Sequence, residues 1–258
     1  INWFFTQSCY IRKFDRRIME EIKERQDTFF SAFEGYIDSI NTASFQKQDK
    51  TFKKVLFVSV IDTLAKCAYP HKSNAKRFTS FIDKFCQWKH CNKVSLTHLI
   101  RLLNIIQDSE FPDVRKYTLS IFDNWHGSIE KNPDLIDIQK LWPKNIEYEQ
   151  NHPLLKFNAE SLTHKWLFYK YRNHLVHGLR EPGYGIESKE NTEPFYHTMG
   201  ALHEENSFSW ELVYPLSFFN CLCRGGFKNL KTYCENNRID PYESYKETFG
   251  TYWIEELN

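Results

Sequence analysis

Between Tyr169 and Gly183 the chain reads YKYRNHLVHGLREPG, placing Arg172, Asn173, His174 and His177 within six residues. These types suffice to cleave RNA without a metal. A guanidinium binds and neutralises a phosphate through paired hydrogen bonds, and an imidazole moves a proton near neutral pH. The nucleophile is then the substrate's own 2′-OH, so neither Ser nor Cys is required. From Ser161 to Arg180 there is no carboxylate, while Lys165, Lys170, Arg172, Arg180 and three histidines are present. In a chain of net charge +1 this is a local basic patch. It suits a phosphate backbone, and any exposed ring among Trp166, Phe168, Tyr169 and Tyr171 can stack on a base. Arg172, His177 and Asn173 are therefore the candidate catalytic group. Lys170, His174 and Arg180 are candidate substrate contacts, His174 reading more readily as a plain surface residue. His164 and His152 read as ordinary surface histidines.

These side chains need a helix. The pattern predicts one from about Asn158 to His177, with Leu162, Trp166, Tyr169, Asn173 and Val176 on one face. Asn173 and His177, four apart, are neighbours. Arg172 and His177, five apart, do not share a face. The length of the arginine, a distorted last turn or a second copy of the helix must bring them to one substrate. Gly178 stands where a helix end wants a left-handed residue. The last turn favours a protonated His177, which suits a general acid; the plainer alternative is a histidine bonded to a terminal carbonyl.

The rest of the chain is patterned mainly for helices. Apolar residues recur at three- and four-residue steps from Ile11 to Ile40, predicting a long amphipathic helix. Residues 52–69 are apolar on nearly every side, as in a central helix, and their one carboxylate, Asp62, reads as a partner for the Arg172/Asn173 region or as a surface group. Helices are predicted over 74–88 and 95–106, the second capped by Ser95, and from Pro112 toward Trp125. A long connection with a short helix at 136–142 spans 132–153. Runs 193–199 and 208–214 predict a hairpin, and a last helix follows Pro215.

The bulk numbers set limits. The chain has 258 residues, 41% hydrophobic and 26% charged, enough for one large core without staples. Its balanced charge supplies no global attraction to nucleic acid or anionic membrane. Seven cysteines, an odd number, predict reduced thiols and a cytoplasmic setting. Neither Cys86/His90/Cys91 nor Cys221/Cys223 has paired zinc-ligand spacing, so no metal or cofactor is expected. No apolar run is long enough to span a bilayer. The opening INWFF lacks Met, which predicts a processed N-terminus.

At Arg172-Asn173 and His177 the sequence resembles the HEPN superfamily (higher eukaryotes and prokaryotes nucleotide-binding domains), whose motif is Arg, a polar residue, then His after a gap of four to six. The resemblance extends to FVSVIDTLAK, RFTSFIDKF, and Tyr233, Cys234 and Asp240 to Tyr242, covering roughly residues 50–245. It implies a mainly α fold: a HEPN-like helical bundle over 46–258, with a hairpin at about 193–214 before the last helix. Residues 1–45 stand apart as a long helix and linker. It also implies a homodimer in which two motif helices share a cleft, and a metal-independent endoribonuclease of a toxin or antiviral setting acting through Arg172 and His177, with Asn173 orienting. Toxins of this kind under a nucleotidyltransferase antitoxin often carry Tyr two residues after the His; here Leu179 stands there. A regulatory, antitoxin-like protein partner acting on the N-terminal helix or the hairpin is a further expectation. Two other readings stand beside the nuclease: a non-catalytic RNA- or nucleotide-binding module, and a protein-interaction domain.

Overall fold

The structure, a computed structural model, describes residues 2–106, 111–143, 158–183, 185–188, 190–200 and 208–243. His152 and most of the 132–153 connection lie outside the described residues. The described chain is mainly helical: α1 (Asn2–Thr42), α2 (Asp49–Ala68), α3 (Asn74–Phe85), α4 (Leu96–Ile105), α5 (Pro112–Phe122), α6 (Leu135–Leu141), α7 (His164–Gly178) and α8 (Leu216–Asn237). One antiparallel hairpin, β1 (Phe195–Gly200) and β2 (Phe208–Val213), precedes α8, with Phe195 opposite Val213 and Thr198 opposite Trp210. No described helix is long and apolar enough to cross a membrane.

The chain divides into two compact units. The first takes the segments up to Ser44, Leu56–Cys86 and from Cys223 onward. Here α1 buries Gln26, Phe29, Phe30, Ile37 and Ile40, the three- and four-residue spacing of an amphipathic helix. Phe30 meets Phe227 edge-on at 5.8 Å. The Gln26 amide donates to the carbonyls of Cys234 (2.9 Å) and Ile239 (2.8 Å), satisfying acceptors that the end of α8 leaves over.

The second unit, Phe45–Val55 with Gln87–Leu222, holds the motif helix. One core joins Leu99 and Leu103 of α4, Val114 of α5, Ile138 of α6 and Leu162. A second gathers Leu96, Trp125 and Tyr196. Ser95 occupies the N-cap of α4, but its side chain makes no capping bond. The expected cap is replaced by a buried role: its hydroxyl lies 2.8 Å from His98 Nδ1 and accepts from the Tyr196 hydroxyl at 2.7 Å.

Candidate functional site

The helix carrying the motif begins later than its pattern predicts. Residues Glu160–Leu162 form a 3₁₀ turn, Thr163 is extended, and α7 starts at His164. The reason is tertiary. Thr163 pairs with Val94 in an isolated bridge, and the first N–H groups of α7 are taken by the preceding loop, His164 donating to the Lys93 carbonyl (3.0 Å) and Lys165 to the Cys91 carbonyl (2.9 Å).

The buried face also differs. His164, Leu167, Phe168, Tyr171 and Leu175 are the buried residues of α7, whereas Trp166, Tyr169, Asn173 and Val176, expected as its apolar stripe, are half-buried. Both sets have helical spacing, and packing selects the one that meets Phe219, Tyr214 and Trp88: Phe168 sits 5.3 Å from Phe219 and Tyr171 4.9 Å from Tyr214.

His164, expected on the surface, is 0% exposed. Burial pushes its pKa down to about 3, with neighbouring His98, His90 and Lys93 adding to the effect, so the ring is neutral. It ends a buried polar chain. Asn132 Nδ2 lies 2.8 Å from His164 Nε2 and donates to the Tyr196 hydroxyl at 3.1 Å; Tyr196 donates to Ser95 Oγ. The Ser95 hydroxyl also lies 2.8 Å from His98 Nδ1. Burial, then the charges of Arg101 and Lys170, push the His98 pKa down to about 4. His98 is therefore neutral.

The candidate residues divide between two sides of α7. Arg172 donates from Nη1 to Asn173 Oδ1 at 2.9 Å, and its guanidinium lies 5.9 Å from the centre of the Tyr169 ring. The arginine folds across the helix to reach its neighbour's amide, which offsets part of the angular separation between positions 172 and 173. His177 is exposed in the last turn, and Arg180 is exposed beyond it. Lys170 and His174 lie about 160–200° around the helix from Arg172 and line a different surface.

The end of α7 corrects a further expectation. Gly178 is the last helical residue, and the left-handed position belongs to Leu179 (φ 49°, ψ 32°), whose N–H bonds the Leu175 carbonyl at 3.1 Å. A Cβ on Gly178 would make ordinary contact with Arg180 Cγ at 3.5 Å. Gly178→Ala is thus expected to raise stability by about 0.5–1 kcal/mol through helix propensity. Leu179→Gly, at a 60% exposed position, is expected to gain about 1 kcal/mol by removing left-handed strain. Urea unfolding checks both; a destabilised Gly178→Ala would refute the assignment.

Beyond this cap the chain is tied down by charge. Lys54 of α2, 0% exposed, bridges Glu181 (2.6 Å) and Glu187 (2.9 Å). Glu181 also accepts from the Tyr171 hydroxyl at 2.7 Å and from Thr51 at 3.2 Å, while Glu187 accepts from the Leu216 N–H at 2.7 Å. Burial, then the Glu181 charge, pushes the Tyr171 pKa far up, so it remains a donor. This cluster fixes where the loop after α7 runs.

Lys170 and His174 line a cleft of about 620 Å³ together with His98 and Arg101 of α4, the Pro182–Gly183 turn, and Trp210 and Leu212 of β2. His98, Arg101, Leu102 and Ile105 present one face of α4 at helical spacing. The motif does not reach this α4 face. Its sequence signal is the polar pair His98 and Arg101, with exposed Ile105, on a helix whose other side is core. Among the described residues, no group of three His, Cys, Asp or Glu side chains is placed to hold a metal ion.

No family model, curated protein or solved structure matches the chain.

Proposed function

We propose that the protein is a metal-independent endoribonuclease, a HEPN-like enzyme that acts as a homodimer and uses Arg172, Asn173 and His177. The observation that carries the reading is on α7: Asn173 and the Tyr169 ring hold the Arg172 guanidinium, and an exposed His177 stands in the last turn of the same carboxylate-free helix. Held in place, the guanidinium loses less entropy on meeting a phosphate. The reaction uses the 2′-OH. Its oxygen attacks the adjacent phosphorus, the bond to the 5′-oxygen breaks, and a 2′,3′-cyclic phosphate forms. Arg172 neutralises the charge that gathers on the phosphoryl oxygens. His177, as imidazolium, protonates the departing 5′-oxygen. Asn173 orients the arginine. On an ideal helix positions 172 and 177 are about 140° apart, so a second α7 facing the first completes each site and supplies the base for the 2′-OH. Such a protein belongs to a toxin or antiviral defence setting, where a protein partner restrains it.

The test is cleavage of mixed RNAs in EDTA. The wild type is expected to give 2′,3′-cyclic phosphate ends, and His177→Ala and Arg172→Ala to be slower by about 100-fold or more. No cleavage by the wild type, or equal cleavage by His177→Ala, overturns the nuclease. RNA binding without cleavage that weakens in Arg172→Ala and at higher salt would favour the binding-module reading.

A further inference from the structure

We propose that the cleft formed by α4, α7, β2 and the Pro182–Gly183 turn is a binding site for a small aromatic phosphate monoester, separate from the Arg172/His177 surface. The proposal does not rest on RNA cleavage. Four observations converge on it.

The first is size and enclosure. A volume of about 620 Å³ bounded by two helices, a strand and a turn falls within the range of pockets that enclose small ligands.

The second is charge. Arg101 and Lys170 line the cleft with His98, whose pKa is lowered by burial first and then by these two charges. His174 lines the same cleft. His98 adds a neutral imidazole whose Nδ1 is held by the chain Asn132, Tyr196, Ser95. Two cations suit the several acceptor oxygens of a phosphate. Glu211, the carboxylate of this cleft, sits against Gly183, where any side chain would collide with it. Its carboxylate faces the turn.

The third is an apolar wall. Trp210 and Leu212 of β2 line the cleft together with Leu102 and Ile105 of α4. Trp210 is immobilised: its ring meets Trp125 edge-on at 5.1 Å, and it approaches Gly127 so closely that a Cβ there would lie 2.5 Å from the ring. A fixed indole is a stacking surface for a ring.

The fourth is an unused donor. Tyr214, 2% exposed, lines the cleft, and its hydroxyl has no hydrogen-bond partner among the described residues. Buried hydroxyls rarely remain so, and a guest's polar atom would satisfy this one.

Calorimetric titration of the full chain with 1-naphthyl phosphate tests the site, with inorganic phosphate and 1-naphthol as the two halves of the probe. The expected result is that the ester binds and each half binds at least about tenfold more weakly. Arg101→Glu and Lys170→Glu are each expected to weaken the ester about tenfold or more, and the milder Arg101→Gln to weaken it less. Lys116→Glu, the same charge change on α5, should leave it unchanged. Equal binding of phosphate alone, equal binding of 1-naphthol, or affinity unaltered by Arg101→Glu would each overturn the proposal. So would displacement of the ester by a single-stranded RNA at far lower concentration than by a mononucleotide, since the cleft would then be part of a polymer track. Loss of RNA cleavage in His177→Ala with ester binding intact supports two separate surfaces; absence of cleavage in the wild type leaves the titration as decisive as before.

Discussion

Replacing Lys54 by Ala is expected to lower stability by about 3–5 kcal/mol, measured by urea unfolding. Lys54 is fully buried, and its ammonium is 2.6 Å from Glu181 and 2.9 Å from Glu187, so truncation leaves two carboxylates without their cation in a largely dry site. The remaining bonds to Glu181 from Tyr171 and Thr51 cannot supply a positive charge. The buried pair need not be a net source of stability, because removing three charges from water offsets much of their attraction. Lys54→Met combined with Glu181→Gln and Glu187→Gln should therefore recover most of the loss, the glutamines keeping acceptors for the Tyr171 hydroxyl and the Leu216 N–H. A Lys54→Ala loss below about 1 kcal/mol would mean that the cluster is solvated and does not anchor the loop.

Acidification is expected to destabilise the fold in a window set by His164. In the unfolded chain a histidine titrates near 6.5, whereas burial holds His164 near 3 in the native state. Between these values the unfolded state binds the proton and the native state does not, so stability rises with pH across the window and is level above it. The loss from this ring amounts to about 2 kcal/mol by pH 5 and roughly 4 kcal/mol at pH 3. His98, held near 4 by burial and by Arg101 and Lys170, and His90, lowered mainly by burial, act in the same sense. The paired carboxylates Asp49 and Glu130 have lowered values and lose their contribution only at more acid pH. His164→Gln, which keeps an acceptor for the Asn132 amide, should flatten the profile between pH 6.5 and 5. An unchanged slope in that variant would show that another group drives the acid transition.

The elements themselves were legible because their signals are local. Three- and four-residue spacing in α1, the Pro at the start of α5 and the two β-rich runs before Pro215 specify helix, helix start and hairpin, although α1 begins well before Ile11, at Asn2. Arg172, Asn173 and His177 were legible for the same reason, as reactive types clustered on one predicted helix. Their relation was half legible: spacing separates position 172 from 177, but the folding of the Arg172 side chain onto Asn173 is a choice among rotamers that spacing does not make.

Tertiary packing decided the rest. Two faces of α7 have helical period, and only the partners across it bury Leu167, Phe168, Tyr171 and Leu175. A histidine reads as surface from its polarity alone; His164 is interior because Asn132, 32 residues away, and the chain beyond it supply hydrogen bonds that sequence proximity cannot reveal. Gly178 predicts a left-handed cap by propensity, yet the helix runs one residue further and Leu179 takes that conformation at the head of a loop that Lys54 anchors through Glu181. The cleft joins α4, α7 and β2, whose residues lie more than 30 positions apart. The chain's local chemistry thus determines helices, hairpin and a basic motif, while the pairing of distant surfaces determines which of those side chains share a wall, because burial and hydrogen bonding are properties of neighbours in space.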